Sequence, residues 1–353
     1  MRKSFNYFRA NPCGNITGFV VAPVYPGYRK AYTDCIINQI DKEVEQVGFI
    51  SPAYEGAPLR MDMMGGEFCA NATRAYGLYS ASFYDTDGPV DIEVYVSGKE
   101  GTTDVIADVK NKKAYVAMEE PLDKKTVKVK DKEYKLIELP GISHLIVEEK
   151  EDEEFVEEAL KILKENYKSE AYAVIFLNRE KLEIVPYVFV EETQTLFREG
   201  SCGSGTAAVV NFLEEDIKSL DEDYKISIKN PAGELEVFVY EFEDGKKLCV
   251  GGEIELSDVE KKSIDIPQDV VEKVVAEHDK IVAERKENES EEKDENDLTD
   301  EELKVMREKF GFDWLKYKKG RETSLFLYSK IKKIYWLKIS RLSWRRQPDL
   351  NRW

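Results

Sequence analysis

The 353-residue sequence has little of what most metal, redox and secretory scaffolds require. It has only two histidines, His144 and His278. Its five cysteines, Cys13, Cys35, Cys69, Cys202 and Cys249, are scattered and form no CxxC pair. That poverty argues against a structural zinc site, and the odd count fits a reducing compartment better than a disulfide framework. No metal is expected. No uncharged apolar run approaches the ~18 residues of a membrane span, and MRKSFNYFRANPCGN lacks the apolar stretch of a secretory signal, so a cytoplasmic protein is expected. Neither a Walker lysine nor a GxGxxG follows the Gly203-Ser204-Gly205 run, which weakens a phosphate-cradle reading. Positive charge is also scarce. A formal net charge of −18 would repel nucleic acid and anionic membranes, so neither is expected as a partner.

What is present reads as an α+β protein. Strand-like runs occur at Gly18 to Pro23, Ile92 to Ser97, Val105 to Val109 and Ala114 to Met118. Helical patterns fall at Tyr32 to Gln46, Ala70 to Phe83, Glu153 to Tyr167 and Gly205 to Leu213. From Ser257 the composition changes. A helical stretch around Gln268 to Arg285 runs into the acidic tract EKDENDLTDEE and then a basic, aromatic end. Residues 316–353 hold 12 Lys or Arg against two acids, a net of +10, which leaves −28 on residues 1–315. The sequence therefore predicts two lobes, 1–120 and 121–256, the last strands of the second crossing back to the first. Residues 257–353 are expected to form a charged helical appendage with a basic tail, partly disordered.

An internal echo supports the two lobes. Cys69-Ala-Asn-Ala-Thr73-Arg-Ala75 returns as Cys202-Gly-Ser-Gly-Thr206-Ala-Ala208, a C-x3-T-x-A pattern followed in both places by strands joined through turns. Met64-Gly65-Gly66-Glu67-Phe68 precedes the first cysteine and Arg198-Glu199-Gly200-Ser201 the second, so each thiol falls between a small-residue turn and a helix. Unpaired amides and the helix dipole at such an N-terminus stabilise anions. A thiol placed there can fall to a pKa of roughly 3.5 to 7.5. Two cysteines so placed suit inversion of a carbon acid: one thiolate removes a proton from one face while the other thiol delivers a proton to the opposite face. Cys13, Cys35 and Cys249 carry no such pattern and read as small buried apolar residues.

At these residues the sequence resembles the diaminopimelate epimerase family, and within it the histidine racemase branch. The resemblance covers about residues 4–256. It rests on FxxNPxGNIT from Phe8, EQVGFI at Glu45 to Ile50, GGEFCANAT at Gly65 to Thr73, SCGSGTA at Ser201 to Ala207 and NPAG at Asn230 to Gly233. It implies two pseudo-symmetric lobes, each a curved sheet around a central helix, with the active site between them, no cofactor, and an amino acid as substrate. A homodimer is also expected. The resemblance makes Cys69 and Cys202 the catalytic thiols. It places Asn15, Gln46, Asn71 and His144 in or behind the substrate site, with Ala70 replacing a glycine, and Gly203, Ser204 and Thr206 at the amides that bind the α-carboxylate. Diaminopimelate epimerases hold the distal end of their substrate near positions 63, 142, 186 and 194. Met63, Ile142, Pro186 and Gln194 stand there, with Thr193 before the glutamine, and no cation remains for a distal carboxylate. The expected function is thus racemisation of histidine or another single-headed amino acid. The alternatives are diaminopimelate epimerisation, another isomerase of the same architecture, or a non-catalytic amino-acid-binding protein.

Overall fold

The computed structural model describes residues 1–51, 60–192, 194–213 and 224–291. Thr193, the acidic tract and the basic tail fall outside them. The first half comprises β1 (Arg2–Asn11), β2 (Thr17–Val21), α1 (Pro26–Gln39), β3 (Gln46–Ser51), β4 (Arg60–Met63), α2 (Ala70–Ala81), β5 (Val90–Val96), β6 (Thr102–Asp108) and β7 (Lys113–Met118). The second comprises β8 (Asp123–Val129), β9 (Lys132–Leu139), β10 (Ile142–Val147), α3 (Glu153–Asn166), β11 (Ala171–Asn178), β12 (Glu183–Val190), β13 (Thr195–Arg198), α4 (Gly203–Phe212), β14 (Ile226–Asn230), β15 (Gly233–Phe242) and β16 (Gly245–Glu253). The chain continues through β17 (Glu255–Leu256), β18 (Glu260–Asp265) and α5 (Gln268–Glu291).

Strand pairing repeats in the two halves. Antiparallel β1–β2 corresponds to β9–β10, and parallel β2–β3 to β10–β11. Antiparallel β3–β4 then matches β11–β12, parallel β4–β5 matches β12–β14, and antiparallel β5–β6 matches β14–β15. The last pair of each set, β6–β7 and β15–β16, is again antiparallel. The crossover helices α1 and α3 occupy equivalent positions between the parallel strands, as parallel pairing requires. β16 also pairs with β7, from Leu248↔Met118 to Glu253↔Lys113, and joins the two sets into one sheet.

That repeat shows where the first lobe ends. The second set opens with β8 antiparallel to β9, and the equivalent neighbour of β1 is β18, paired from Arg2↔Asp265 to Tyr7↔Glu260. The sheet therefore extends beyond the boundary read at 256. Ile264 and Ile266 are buried with Phe5, Val20, Ile36 and Phe49, and Val270 and Val271 of α5 pack on the same cluster. The compact unit runs from Met1 to His278.

α2 and α4 carry small residues, ANATRAYGLYSA and GSGTAAVVNF, and lie inside the lobes rather than on them. A helix buried on all faces lets strands approach closely only where side chains are short. At Gly77 a Cβ would stand 2.6 Å from Val105 Cγ1. α3, in contrast, is an outer amphipathic helix that buries Phe155, Val156, Ala159, Leu160 and Leu163. Its N-cap Asp152 accepts hydrogen bonds from the Glu154 and Phe155 amides. The helix expected over Tyr32 to Gln46 is displaced: α1 starts at Pro26, whose fixed φ suits a first turn, and stops at Gln39. The apolar QVGFI run becomes the buried parallel strand β3 instead.

Candidate active site

Each cysteine of the echo is the N-cap of its central helix, with almost the same backbone: φ −127°, ψ 112° at Cys69 and φ −129°, ψ 110° at Cys202. The Ala72 amide donates to Cys69 Sγ at 3.5 Å, and the Gly205 amide to Cys202 Sγ at 3.3 Å. The threonine of each C-x3-T unit bonds back to the cysteine carbonyl. Thr73 Oγ1 lies 2.8 Å from Cys69 O, and Thr206 Oγ1 lies 2.7 Å from Cys202 O. These hydroxyls lock the first helical turn, and with it the thiol's direction.

Both thiols line one cavity of about 60 Å³, with Asn15, Gln46, Ala70, Asn71, Gly203 and Ser204. The two helix starts are in close contact, since a Cβ on Gly203 would lie 2.8 Å from Ala70 Cβ. Gln46 Nε2 donates to Cys69 Sγ (3.3 Å), Asn15 Oδ1 (2.7 Å) and Thr17 Oγ1 (2.9 Å). Asn71 Nδ2 reaches across the lobes to Ser201 O and Ser201 Oγ, both at 3.1 Å. Behind the second helix start, His144 Nε2 is 3.0 Å from Ser204 Oγ, which in turn is 3.5 Å from Cys202 Sγ. Burial pushes the His144 pKa down to about 3, so its ring is neutral.

Other residues singled out in the sequence lie elsewhere. Thr206 is fully buried under the helix start and accepts from Asn230 Nδ2 at 3.4 Å, so it supports Cys202 without lining the cavity. Gln194 sits in the turn before β13 with φ +53°, exposed, its amide donating to Glu191 O at 2.7 Å; it does not reach the cavity. Met63 is a core residue. Of the four distal positions only Ile142 lines the cavity, together with Phe68, Ala171, Val188 and Val190. Two further lining residues, Glu67 and Glu199, were not singled out as site residues, although they precede the cysteines by two and three positions.

These carboxylates change the electrostatics expected of a helix N-terminus. Burial pushes the Cys69 thiol up to about 12, opposed by the Ala72 amide and reinforced by Glu199 and Glu67. Burial and Glu199 hold Cys202 well above the ordinary thiol range. The expected fall in thiol pKa is thus reversed, because desolvation and neighbouring negative charge outweigh one amide at each sulfur. Burial raises the Glu199 pKa to about 8, opposed by the neighbouring Cys202 thiol and reinforced by Glu45 and Glu67. A carboxyl raised from 4.5 gives stability that is complete below pH 4.5 and is lost as pH rises through 8. Glu199→Gln should therefore flatten the fall in Tm between pH 5 and 9. A pH profile of Tm parallel to that of the unmodified protein would contradict the burial argument.

Among the described residues no group of three or more His, Cys, Asp or Glu is placed to hold a metal, and no helix is long and apolar enough to cross a membrane.

Residues 4–260 match the family model described as the histidine racemase CntK N-terminal domain. A histidine racemase of Fusobacterium nucleatum is 30% identical over 264 residues, covering 71% of this chain and 93% of that protein. One from Staphylococcus aureus is 22% identical, covering 66% of this chain and 88% of its own length. In fold, the chain is similar to a hydroxyproline epimerase from Agrobacterium vitis solved with trans-4-hydroxy-L-proline (TM-score 0.52, 10% identity, 76% of this chain and 95% of that one). It is also similar to a Pseudomonas aeruginosa protein described as a predicted epimerase (TM-score 0.54, 10% identity, 73% and 99%). With its two matched helix-capping cysteines and a family match that runs through nearly the whole sheet, the chain belongs to the CntK-type histidine racemase family, isomerases of the racemase and epimerase class.

Proposed function

We propose that this protein racemises free histidine, or another single-headed amino acid, without a cofactor, by passing the α-proton between Cys69 and Cys202. The observation that carries this reading is the pair of thiols capping two central helices at one cavity. One sulfur, as thiolate, takes the α-proton, and the other, as thiol, donates a proton to the opposite face of the same carbon. The carbanion pushes charge onto the α-carboxylate, for which the donors are the first amides of α2 and α4, left without partners inside their helices. Burial among carboxylates favours the protonated form of both thiols, so the α-ammonium of an incoming substrate supplies the positive charge that lets one of them give its proton to solvent and stand as the thiolate.

The apolar wall of Ile142, Ala171, Val188 and Val190, with no Lys or Arg lining the cavity, favours a single-headed substrate. A second amino-acid end would place a carboxylate there beside Glu67 with no cation to pair with it. Incubation with L-histidine in D2O without pyridoxal phosphate should yield α-deuterated D-histidine. Its kcat/KM should exceed that of LL-diaminopimelate by at least about tenfold, which needs only about 1.4 kcal/mol. Absence of α-deuteration across a panel of L-amino acids would mark a non-catalytic binder and overturn the proposal.

A further inference from the structure

The proton transfer between two thiols leaves one group of the cavity without a task. Glu67 Oε2 is buried and has no hydrogen-bond partner among the described residues. A buried carboxylate oxygen without a donor is costly, and native structures rarely keep one without a use for it. Nor is the Glu67 backbone free to move away. Its carbonyl accepts from Ser97 Oγ at 2.8 Å, and that hydroxyl also receives the Met63 amide at 2.8 Å. Gly98, at φ +70°, is packed so closely on the Glu67–Phe68 peptide that a Cβ would stand 2.6 Å from Glu67 C and 2.1 Å from Phe68 N. The backbone that carries the carboxylate is therefore clamped from both sides.

Resting on the racemase reading above, we infer that Glu67 is the specificity-determining residue of the cavity, its free oxygen receiving an N–H from a basic, ring- or chain-borne nitrogen of the substrate side chain. Three features support the assignment. The ionisable groups that line the cavity are two thiols and two carboxyl groups, with no Lys, Arg or His among them, so the lining offers a substrate acceptors but no positive charge. Glu199 raises the pKa of both thiols and Glu67 that of Cys69, which ties Glu199 more closely to the proton transfer. Glu67 lines the same cavity as the apolar side chains of Phe68, Ile142 and Ala171, and its Oε2 has no donor among the described residues, so it is open to a group borne by the substrate side chain. An imidazole fits this arrangement, with a flat apolar ring against the wall and an N–H toward the oxygen. A carboxylate-bearing side chain is repelled, and a wholly apolar one leaves the oxygen unpaired.

The test compares α-deuteration of L-histidine with that of L-β-(2-thienyl)alanine, a five-membered aromatic ring of similar size without an N–H. The unmodified enzyme should prefer histidine by at least about tenfold in kcat/KM, the discrimination expected when a buried acceptor is left unpaired. Glu67→Gln should bring the two substrates within about threefold of each other, mainly through a higher KM for histidine, because the lost contact serves ground and transition state alike. Glu67→Asp should fall between them. A histidine preference that survives in folded Glu67→Gln would overturn the assignment, and so would an unmodified enzyme that handles both substrates equally. The unmodified enzyme's ratio remains decisive even if the variants do not fold. Failure of every amino acid to exchange its α-proton is a separate result and overturns the racemase reading itself.

Discussion

Replacing either Cys69 or Cys202 by serine lowers racemisation of the preferred substrate by about a thousandfold or more, a loss at the upper part of the range for removing a general acid or base. A serine hydroxyl is nearly isosteric with the thiol but far too weak an acid to supply the anion. The two positions fail equally, because in each direction one sulfur must take a proton and the other must give one. The fold should tolerate both changes. A serine oxygen at either N-cap accepts the Ala72 or Gly205 amide at least as well as sulfur does, and serine is among the favoured N-cap residues. The measurement is conversion of L- to D-enantiomer by chiral separation, alongside circular dichroism and Tm. Turnover above a tenth of the original in either variant, with the fold intact, would rule out the two-thiol scheme.

The second large effect is on stability. Arg74→Met should lower Tm by roughly 6 to 12 °C, corresponding to about 3 kcal/mol in a region of this size. Arg74 is 1% exposed, at the heart of the joint between the lobes. Its Nε donates to Asn71 Oδ1 at 3.1 Å, and its Nη1 to Gly252 O and Glu253 O at 3.2 and 3.3 Å. By fixing Asn71 Oδ1, Arg74 turns the Asn71 amide nitrogen toward Ser201 and Asn15, so one side chain holds α2, the turn before α4 and the end of β16 together. Methionine fills a similar length but strips three acceptors of their donor, at about 1 to 3 kcal/mol for each one left unsatisfied. Part of that loss is offset, because the guanidinium is itself heavily desolvated, with its pKa pushed down to about 10 and Nη2 without a hydrogen-bond partner among the described residues. Arg74→Lys, which keeps one donor, should fall between the two. A Tm for Arg74→Met within 2 °C of the original would show that the rest of the joint holds without it.

The parts of the site legible in the sequence are those set by local chemistry. The C-x3-T-x-A echo encodes an N-cap thiol and a threonine that bonds back to its carbonyl, both within five residues, so the pattern carried the geometry. The short side chains of α2 and α4 likewise marked helices that had to be enclosed. What stayed hidden depends on partners far along the chain. β18 completes the first lobe through pairing with β1, roughly 260 residues away in sequence, and its own pattern, EKKSID, offers a single apolar residue. Glu67 and Glu199 look like ordinary surface acids until two lobes close around them. Gln194 was placed by alignment with a family position, yet its turn, with φ +53°, points its amide back to Glu191. The thiol pKa reading failed for a related reason: helix ends are visible in a sequence, whereas the depth at which they are buried is not.

The near-identical backbones of Cys69 and Cys202 are set in unlike surroundings. Cys69 accepts from the neutral amide of Gln46, while Cys202 lies beside the carboxyl of Glu199, which raises its pKa. Mirror-image products have equal free energy, so for a racemase the ratio of the two specificity constants is fixed at unity, whatever the protein does to its sulfurs. The inequality between the thiols is therefore expressed inside each specificity constant, as a difference in how kcat and KM share it for the two enantiomers. In the two-thiol scheme proposed above, an enzyme that has just released one enantiomer is left in the protonation form suited to binding that same enantiomer again. The scheme then requires its protons to be redistributed before it takes the other, and at high flux it expects that internal reset, rather than carbon chemistry, to set the pace.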